Sequence, residues 1–196
     1  IDHWGERALR VVNAALAFDG RTGQSGYKVA MRALISADIP LDWQKSGSHP
    51  LIAEHTASLP IAYLEKVTFT KLVALHSTRD SVSPAEMANA TLNAAAAAGY
   101  EALRADHNAS WAAHWDRLDI VIEGDEVAQL AVRFSSYHVM IAVPTQDERV
   151  SIGAKTLSGF GYKGHVFWDT ELFMVPQFNV CYPEFARSLL MYRYHN

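Results

Sequence analysis

The pattern of apolar residues changes near Ser83. Before it, residues 1 to about 78 predict β-structure, because apolar-rich runs at residues 10–18 and 27–35 are separated by turn-forming residues. After it, Ser83-Pro84-Ala85-Glu86 is typical of a helix N-terminus, with the serine capping a backbone N–H and the glutamate reaching back. Strands followed by helices favour a β domain joined to a helical region.

Within the β part, the expected turns lie at Asp19-Gly20 and at residues 23–26, where glycines cluster. Val67 and Phe69 alternate with polar residues, which predicts a half-buried strand. Residues 40–60 contain three prolines and predict a long loop region.

The second part predicts five helices and one short strand. The helices are expected from Ser83 to Ala98, from about Tyr100 to Leu118, from Asp125 to about Ile141, from about Thr170 to a bend or an end near Pro176, and from Pro183 onward. The strand is expected over residues 119–123, and a long glycine-containing loop over residues 143–167. Val127, Leu130, Ala131, Phe134, His138 and Ile141 form the predicted apolar face of the third helix.

The charge and composition exclude several classes of protein. The 196 residues carry a formal net charge of -4 and no basic stripe, which argues against nucleic-acid binding. No apolar run approaches the roughly 20 residues that cross a bilayer. The single cysteine, Cys181, cannot form an internal disulfide, which fits a reducing compartment and predicts a cytoplasmic location. Because both ends read as the middle of an element, we expect a fragment of a longer protein.

The residues with the clearest chemistry are Trp168 and Asp169. An indole face can cover the C–H face of a pyranose ring, and a neighbouring carboxylate can accept hydrogen bonds from vicinal hydroxyls. Nearby glycines let the backbone approach a ligand closely. Two simpler alternatives stay open: Asp169 caps the following helix, and Trp168 is a core residue.

A long stretch around this pair resembles a known family. Residues 150–176 and 182–194 are similar to the signature of glycoside hydrolase family 65, which holds inverting phosphorylases for maltose, trehalose and kojibiose and some hydrolases. Upstream segments also resemble this family: residues 78–80, 111–115, 123–125 and 133–138. The resemblance therefore covers most of the chain.

The resemblance implies a multidomain β + α architecture. Residues 1–80 would be the end of an N-terminal β super-sandwich, and residues 81–122 a helical linker. Residues 123–196 would be the first helices of a six-fold α/α barrel that carries the catalytic site. We accordingly expect the 196-residue chain alone to be inactive and to expose apolar helix surfaces.

The resemblance also implies an activity. The expected reaction uses inorganic phosphate to split an α-glucosidic disaccharide of the maltose, trehalose or kojibiose type, giving β-glucose 1-phosphate and glucose. The alternatives are a trehalase-like hydrolase that uses water and a non-catalytic carbohydrate-binding or structural fragment. No metal or cofactor is expected, and a homodimer is the expected assembly.

The same resemblance assigns roles to particular residues. Trp168 and Asp169 would contact the glucosyl unit in the donor subsite, whereas the general acid would be a glutamate downstream of this chain. Phe160 departs from the polar or acidic residue expected there and would line the pocket or shift the linkage preference. From their own chemistry, His165 is expected either to line the pocket or to form a hydrogen bond within the loop, and Arg133 is expected to pair with a carboxylate. Glu171 is expected to interact favourably with the N-terminal end of the helix dipole or to orient a neighbouring residue.

Overall fold

The computed structural model describes residues 4–12, 15–46, 52–159 and 161–196. The chain forms two compact units, Ile1–His107 and Asn108–Asn196. The predicted change from strands to helices near Ser83 is confirmed, since every described strand precedes this residue and every described α-helix follows it. The predicted domain boundaries at residues 80 and 122 remain predictions.

The first unit is built on an antiparallel sheet. Its strands are β1 Trp4–Val12, β2 Ala15–Thr22, β3 Lys28–Ala37, β4 Gln44–Ser46, β5 Glu54–Thr56 and β6 Phe69–Ser77. Four of them pair in the order β1-β2-β3-β6, while β4 and β5 form a separate two-stranded ladder. The prediction that residues 40–60 are a loop is therefore wrong where Lys45 pairs with His55.

One of the two predicted turns is wrong. Asp19 and Gly20 lie inside β2, where Gly20 pairs with Arg7 on one side and Val29 on the other. The chain reverses at residues 23–26 instead, and Gly26 has the positive φ of 71° that favours glycine. The Asp19 carboxylate serves as an ion-pair partner of Arg10 and Arg32 rather than as a turn residue.

The inward face of β6 also differs from the prediction. The strand begins at Phe69, and its exposed side chains include Phe69, Val73 and Leu75. Ala74 on the opposite face is buried, on a strand that packs against helix α1, Pro84–Ala98. Both faces of β6 carry apolar residues, so the alternation of Val67 and Phe69 did not identify the buried one.

Helix α1 has the predicted ends but not the predicted cap. It begins at Pro84 and is followed by Gly99, whose φ is 79°. Ser83 stands at the N-cap position, yet its side chain makes no capping hydrogen bond in the described structure. The predicted capping box is therefore wrong in its hydrogen bonds, although the helix start is correct.

The remaining helices are α2 Tyr100–Leu118, α3 Glu126–Met140, α4 Val175–Cys181 and α5 Pro183–His195. Among the described residues of the second unit, nine buried ones form its core: Leu118, Met140, Val143, Ile152, Val175, Phe178, Tyr182, Ala186 and Leu189. Trp111 and Trp115 of α2 pack against this core. Asp125 caps α3 as predicted, because its carboxylate accepts a hydrogen bond from the Ala128 N–H at 2.9 Å.

The predicted strand at residues 119–123 is wrong. These described residues form a loop that is held by a side chain of α3: Gln129 accepts a hydrogen bond from the Ile122 N–H at 2.7 Å and donates one to the Ile120 carbonyl oxygen at 2.9 Å. A side-chain amide thus satisfies backbone groups that a strand would satisfy with a neighbour.

The apolar face predicted for α3 is exposed. Val127, Leu130 and Phe134 are each more than half exposed, whereas the buried residues of the helix are Ser136 and Met140. This agrees with the expectation that the chain shows apolar helix surface. No helix in the described part of the chain is both long and apolar enough to cross a membrane.

Candidate functional site

Trp168 and Asp169 lie where the long loop enters a helix. A single π-helical turn, Thr170–Met174, follows the pair and leads directly into α4, with Pro176 in the first turn of that helix. The predicted helix start at Thr170 is therefore confirmed, although the first turn is π-helical and the helical segment continues past Pro176 to Cys181. Single π-helical turns are rare in proteins overall, and those that occur are often found at functional sites.

Thr170 anchors the start of this turn through a buried hydrogen bond. Its side chain is fully buried, and its hydroxyl donates a hydrogen bond to the Ile152 carbonyl oxygen at 2.8 Å. Close by in sequence, the Ala154 N–H donates to the carbonyl oxygen of His165 at 3.3 Å. These two bonds tie the beginning of the loop to its end.

Trp168 is 63% exposed in this chain, so it does not belong to the buried core of the second unit described above. Its ring lies 5.9 Å from that of Phe173, centroid to centroid, at an angle of 47°. Phe173 is itself exposed. The indole therefore offers an accessible apolar face, which is what contact with a sugar ring requires.

Asp169 is half-buried and precedes the π turn without capping it. Its side chain makes no capping hydrogen bond within the described structure, so the alternative that this carboxylate serves as a helix cap is wrong. The backbone around it is held by main-chain bonds instead, from the Leu172 N–H to the Trp168 carbonyl oxygen at 3.1 Å. The carboxylate is left to accept hydrogen bonds from another source.

Glu171 and Arg193 form an ion pair beside these residues. The Arg193 Nε and Nη2 atoms donate to the two carboxylate oxygens of Glu171 at 2.9 and 3.0 Å. The Glu171 carboxylate raises the pKa of the Arg193 guanidinium above its ordinary value. Sequence reasoning missed Arg193, because a pair 22 residues apart on separate elements follows no helical or strand spacing.

The glycine-containing loop has an unusual backbone. Within the turn Gly161–Gly164, Tyr162 and Lys163 have φ values of 59° and 52°, which non-glycine residues rarely adopt. A Cβ atom at Gly161 would come within 3.1 Å of the Lys155 side chain, so this segment packs closely against Lys155. Backbone conformations of this kind are concentrated at functional sites.

The other predicted site residues have different outcomes. His165 is exposed, and its backbone N–H donates a hydrogen bond to the Tyr162 carbonyl oxygen at 2.9 Å. The role of its side chain in lining a pocket stays a prediction. Phe160 lies outside the described residues. Arg133 pairs with a carboxylate, as expected, with Nε and Nη2 at 2.7 and 2.6 Å from Asp119. This bond lowers the pKa of Asp119.

A groove of about 730 Å³ lies in the first unit, and none of these site residues is among its lining residues. It is open, and it is lined by residues of both charges, including Arg10 and Asp19, which pair with each other. Among the described residues that line it, none is an aromatic side chain on which a sugar ring could stack. The chemistry of Trp168 and Asp169 therefore identifies the better candidate site.

Two family models match the chain. The N-terminal domain of glycosyl hydrolase family 65 matches residues 1–114, and the central catalytic domain of the same family matches residues 133–196. The second match contains Trp168, Asp169, Glu171 and Arg193.

Individual relatives agree with these matches. A kojibiose phosphorylase of Escherichia coli (strain K12) is 34% identical over 203 aligned residues, covering 99% of this chain and 26% of the relative. A kojibiose phosphorylase of Halothermothrix orenii is 49% identical over 59% of this chain and 15% of its own length. A nigerose phosphorylase of Lachnoclostridium phytofermentans is 40% identical over 66% of this chain and 17% of its own length. The chain thus spans about a quarter or less of the curated relatives it matches.

A solved structure supports the fold. A candidate kojibiose phosphorylase from the human microbiome superposes with a TM-score of 0.75, at 21% sequence identity, over 98% of this chain and 25% of that one. The predicted combination of β-structure with helices is therefore confirmed, and the described sheet is antiparallel. From the two family models and these relatives, we conclude that this chain belongs to glycoside hydrolase family 65.

Proposed function

We propose that the full-length protein is an inverting disaccharide phosphorylase, in which Trp168 and Asp169 hold the glucosyl unit of the donor. The reaction would split an α-glucosidic disaccharide with inorganic phosphate and give β-glucose 1-phosphate and glucose. The named relatives support the reaction class, since they include kojibiose, nigerose and trehalose phosphorylases.

The observation that carries the proposal is the state of the two side chains. The Trp168 indole is exposed rather than in the core, and the Asp169 carboxylate beside it does not cap the helix that follows. An apolar face next to a carboxylate matches the two sides of a pyranose, its C–H face and its hydroxyl edge.

The chemistry assigns these residues to binding and positioning rather than to bond cleavage. In an inverting cleavage, an acid protonates the leaving oxygen while the nucleophile attacks the anomeric carbon from the opposite face. Phosphate is already an anion and needs no base to activate it. Asp169 would contribute to the rate by gripping ring hydroxyls more tightly as the ring flattens in the transition state. The general acid would be a glutamate outside this chain.

The proposal includes the finer architecture. The first unit would belong to an N-terminal β super-sandwich, and α3 to α5 would be among the first helices of a six-fold α/α barrel. The exposed apolar residues of α3, including Leu130 and Phe134, are consistent with a helix that packs against further helices of such a barrel.

An assay of the full-length protein tests the proposed reaction. Kojibiose, nigerose, maltose and trehalose would each be offered with and without inorganic phosphate, and the anomer of the glucose phosphate would be followed by NMR. We expect β-glucose 1-phosphate from at least one disaccharide, and no cleavage without phosphate. Phosphate-independent release of glucose would show the trehalase-like hydrolase instead, and no turnover or binding of any disaccharide would favour the non-catalytic alternative.

A further inference from the structure

Arg193 joins the two sides of the Trp168-Asp169 pair. Its Nη2 atom donates a hydrogen bond to the Phe167 carbonyl oxygen at 2.7 Å, on the residue directly before the pair. The same guanidinium holds the Glu171 carboxylate, two residues after Asp169, through Nε at 2.9 Å and Nη2 at 3.0 Å. One planar group on α5 therefore contacts the chain on both sides of the two proposed sugar-binding residues.

This arrangement limits how the segment can move. A guanidinium presents its donors in a rigid plane, so the Phe167 carbonyl oxygen and the Glu171 carboxylate are held at a fixed separation. The segment between them contains the backbone of Trp168 and Asp169. The Thr170 hydroxyl, next to this segment in sequence, provides a second anchor through its hydrogen bond to the Ile152 carbonyl oxygen. The backbone of the pair is thus held by Arg193 from one helix and by Thr170 from the buried core.

We propose that Arg193 is a positioning residue of the donor subsite, which sets the orientation of Trp168 and Asp169 without contacting the sugar itself. This inference rests on the proposed function. Its chemical content is specific: a lysine would keep the positive charge but could not bind two carboxylate oxygens and a carbonyl oxygen with one planar fork.

The competing interpretation is an ion pair that contributes only stability. The Arg193 and Glu171 side chains are 40% and 25% exposed, and pairs of this exposure usually contribute little to folding. A purely structural pair would therefore change neither folding nor catalysis much when it is removed. A positioning residue differs, because a displacement of about 1 Å at a reacting group can cost on the order of a hundredfold in rate.

The test uses the full-length enzyme with Arg193→Ala, Arg193→Lys and a matched control, Arg187→Ala. Arg187 lies on the same helix and also forms an ion pair, with Glu148 at 3.7 Å, but it is 72% exposed. The readouts are kcat/KM for the disaccharide, KM for phosphate, and the midpoint of thermal unfolding.

We expect Arg193→Ala to lower kcat/KM for the disaccharide by roughly ten- to a hundredfold, with KM for phosphate nearly unchanged. Arg193→Lys should recover only a small part of that loss, and Arg187→Ala should stay within about twofold of the parent enzyme. The unfolding midpoints of Arg193→Ala and Arg187→Ala should shift by similar, small amounts.

An Asp169→Ala variant measured in parallel separates the two proposals. If Asp169→Ala loses most activity while Arg193→Ala keeps it, the positioning role is overturned and the donor subsite stands. If Asp169→Ala keeps normal activity, the donor subsite fails and the positioning role with it. Should Arg193→Ala not fold, Arg193→Lys decides, and full activity of that variant would overturn the role of the planar fork.

Discussion

The hydroxyl of Thr170 donates a hydrogen bond to the carbonyl oxygen of Ile152 at 2.8 Å, and both residues are buried. This bond joins the π turn after Asp169 to the first part of the glycine-containing loop. Because no water reaches either group, the bond has no ready replacement if one partner is removed. It therefore couples the stability of the loop to the geometry of the proposed sugar-binding pair.

Thr170→Val tests this coupling. The valine keeps the shape of the side chain but leaves the Ile152 carbonyl oxygen unsatisfied, so we expect the free energy of unfolding to fall by about 1–3 kcal/mol. Thr170→Ser is the control, since it keeps the hydroxyl and loses one methyl group. We expect the valine variant of the full-length enzyme to lose more kcat/KM than the serine variant, and equal kcat/KM values would show that the bond does not position the pair.

Substitution of Arg32 tests how much the hydrogen bonds between the sheet and α1 contribute to stability. Its side chain is 6% exposed and donates to Asn89 Oδ1 at 2.8 Å and to Asp19 Oδ1 at 2.9 Å, linking β3 to the helix and to β2. Arg32→Met should reduce the free energy of unfolding by about 1.5–3 kcal/mol, because the variant loses the charged hydrogen bonds of a shielded guanidinium, although Asp19 keeps its ion pair with Arg10.

Arg10→Met is the matched control for Arg32→Met. Arg10 pairs with the same Asp19 carboxylate, but its side chain is 56% exposed, so we expect a loss below about 1 kcal/mol. Denaturant unfolding of both variants gives the comparison. Equal losses would mean that the buried position of Arg32 does not determine its contribution.

The hydrogen bonds of the Asp80 carboxylate predict that the stability of the fold depends on pH. The Ser77 backbone N–H and the Ser77 hydroxyl donate hydrogen bonds to Asp80 Oδ2 at 2.7 and 2.9 Å. These two bonds lower the pKa of Asp80 below its ordinary value of 3.8, and the backbone bond has the larger effect. A carboxyl group whose pKa is lower in the folded state contributes its full stabilisation at pH values above its ordinary pKa. This stabilisation is lost as the pH falls below 3.8 through the lowered pKa.

Asp80→Asn should therefore be less stable than the parent at neutral pH, with a difference that shrinks as the carboxyl of the parent becomes protonated. Unfolding midpoints measured from about pH 7 down to about pH 3 check this. A difference that stays constant over the whole range would show that ionised Asp80 is not the source of the effect.

Local signals predicted the ends of the helices well. Pro84, Gly99, Asp125 and Pro183 each act on the backbone within one turn of their own position, so the sequence next to them is sufficient. The strand predicted at residues 119–123 failed because Gln129, farther along the chain, supplies its hydrogen bonds. The turn predicted at Asp19-Gly20 failed because pairing with β1 and β3 overrides the preference of that dipeptide.

The candidate site was predictable only in part. Trp168 and Asp169 are adjacent in sequence, so their combination of an indole and a carboxylate was visible without a structure. Arg193 and Ile152 reach the same segment from distant positions, and no periodic pattern connects them to it. The proposed sugar-binding residues could thus be named from the sequence, whereas the residues that contact their segment from a distance could not.

The most direct test of the account is the kcat/KM of Asp169→Ala for the disaccharide, measured in the full-length enzyme. Glu148→Gln is the control, because Glu148 is a half-buried carboxylate on the same unit that pairs with Arg187 and His195. We predict that Asp169→Ala loses on the order of a hundredfold or more in kcat/KM, while Glu148→Gln stays near the parent value. Near-normal turnover by Asp169→Ala would contradict the assignment of Trp168 and Asp169 to the donor subsite.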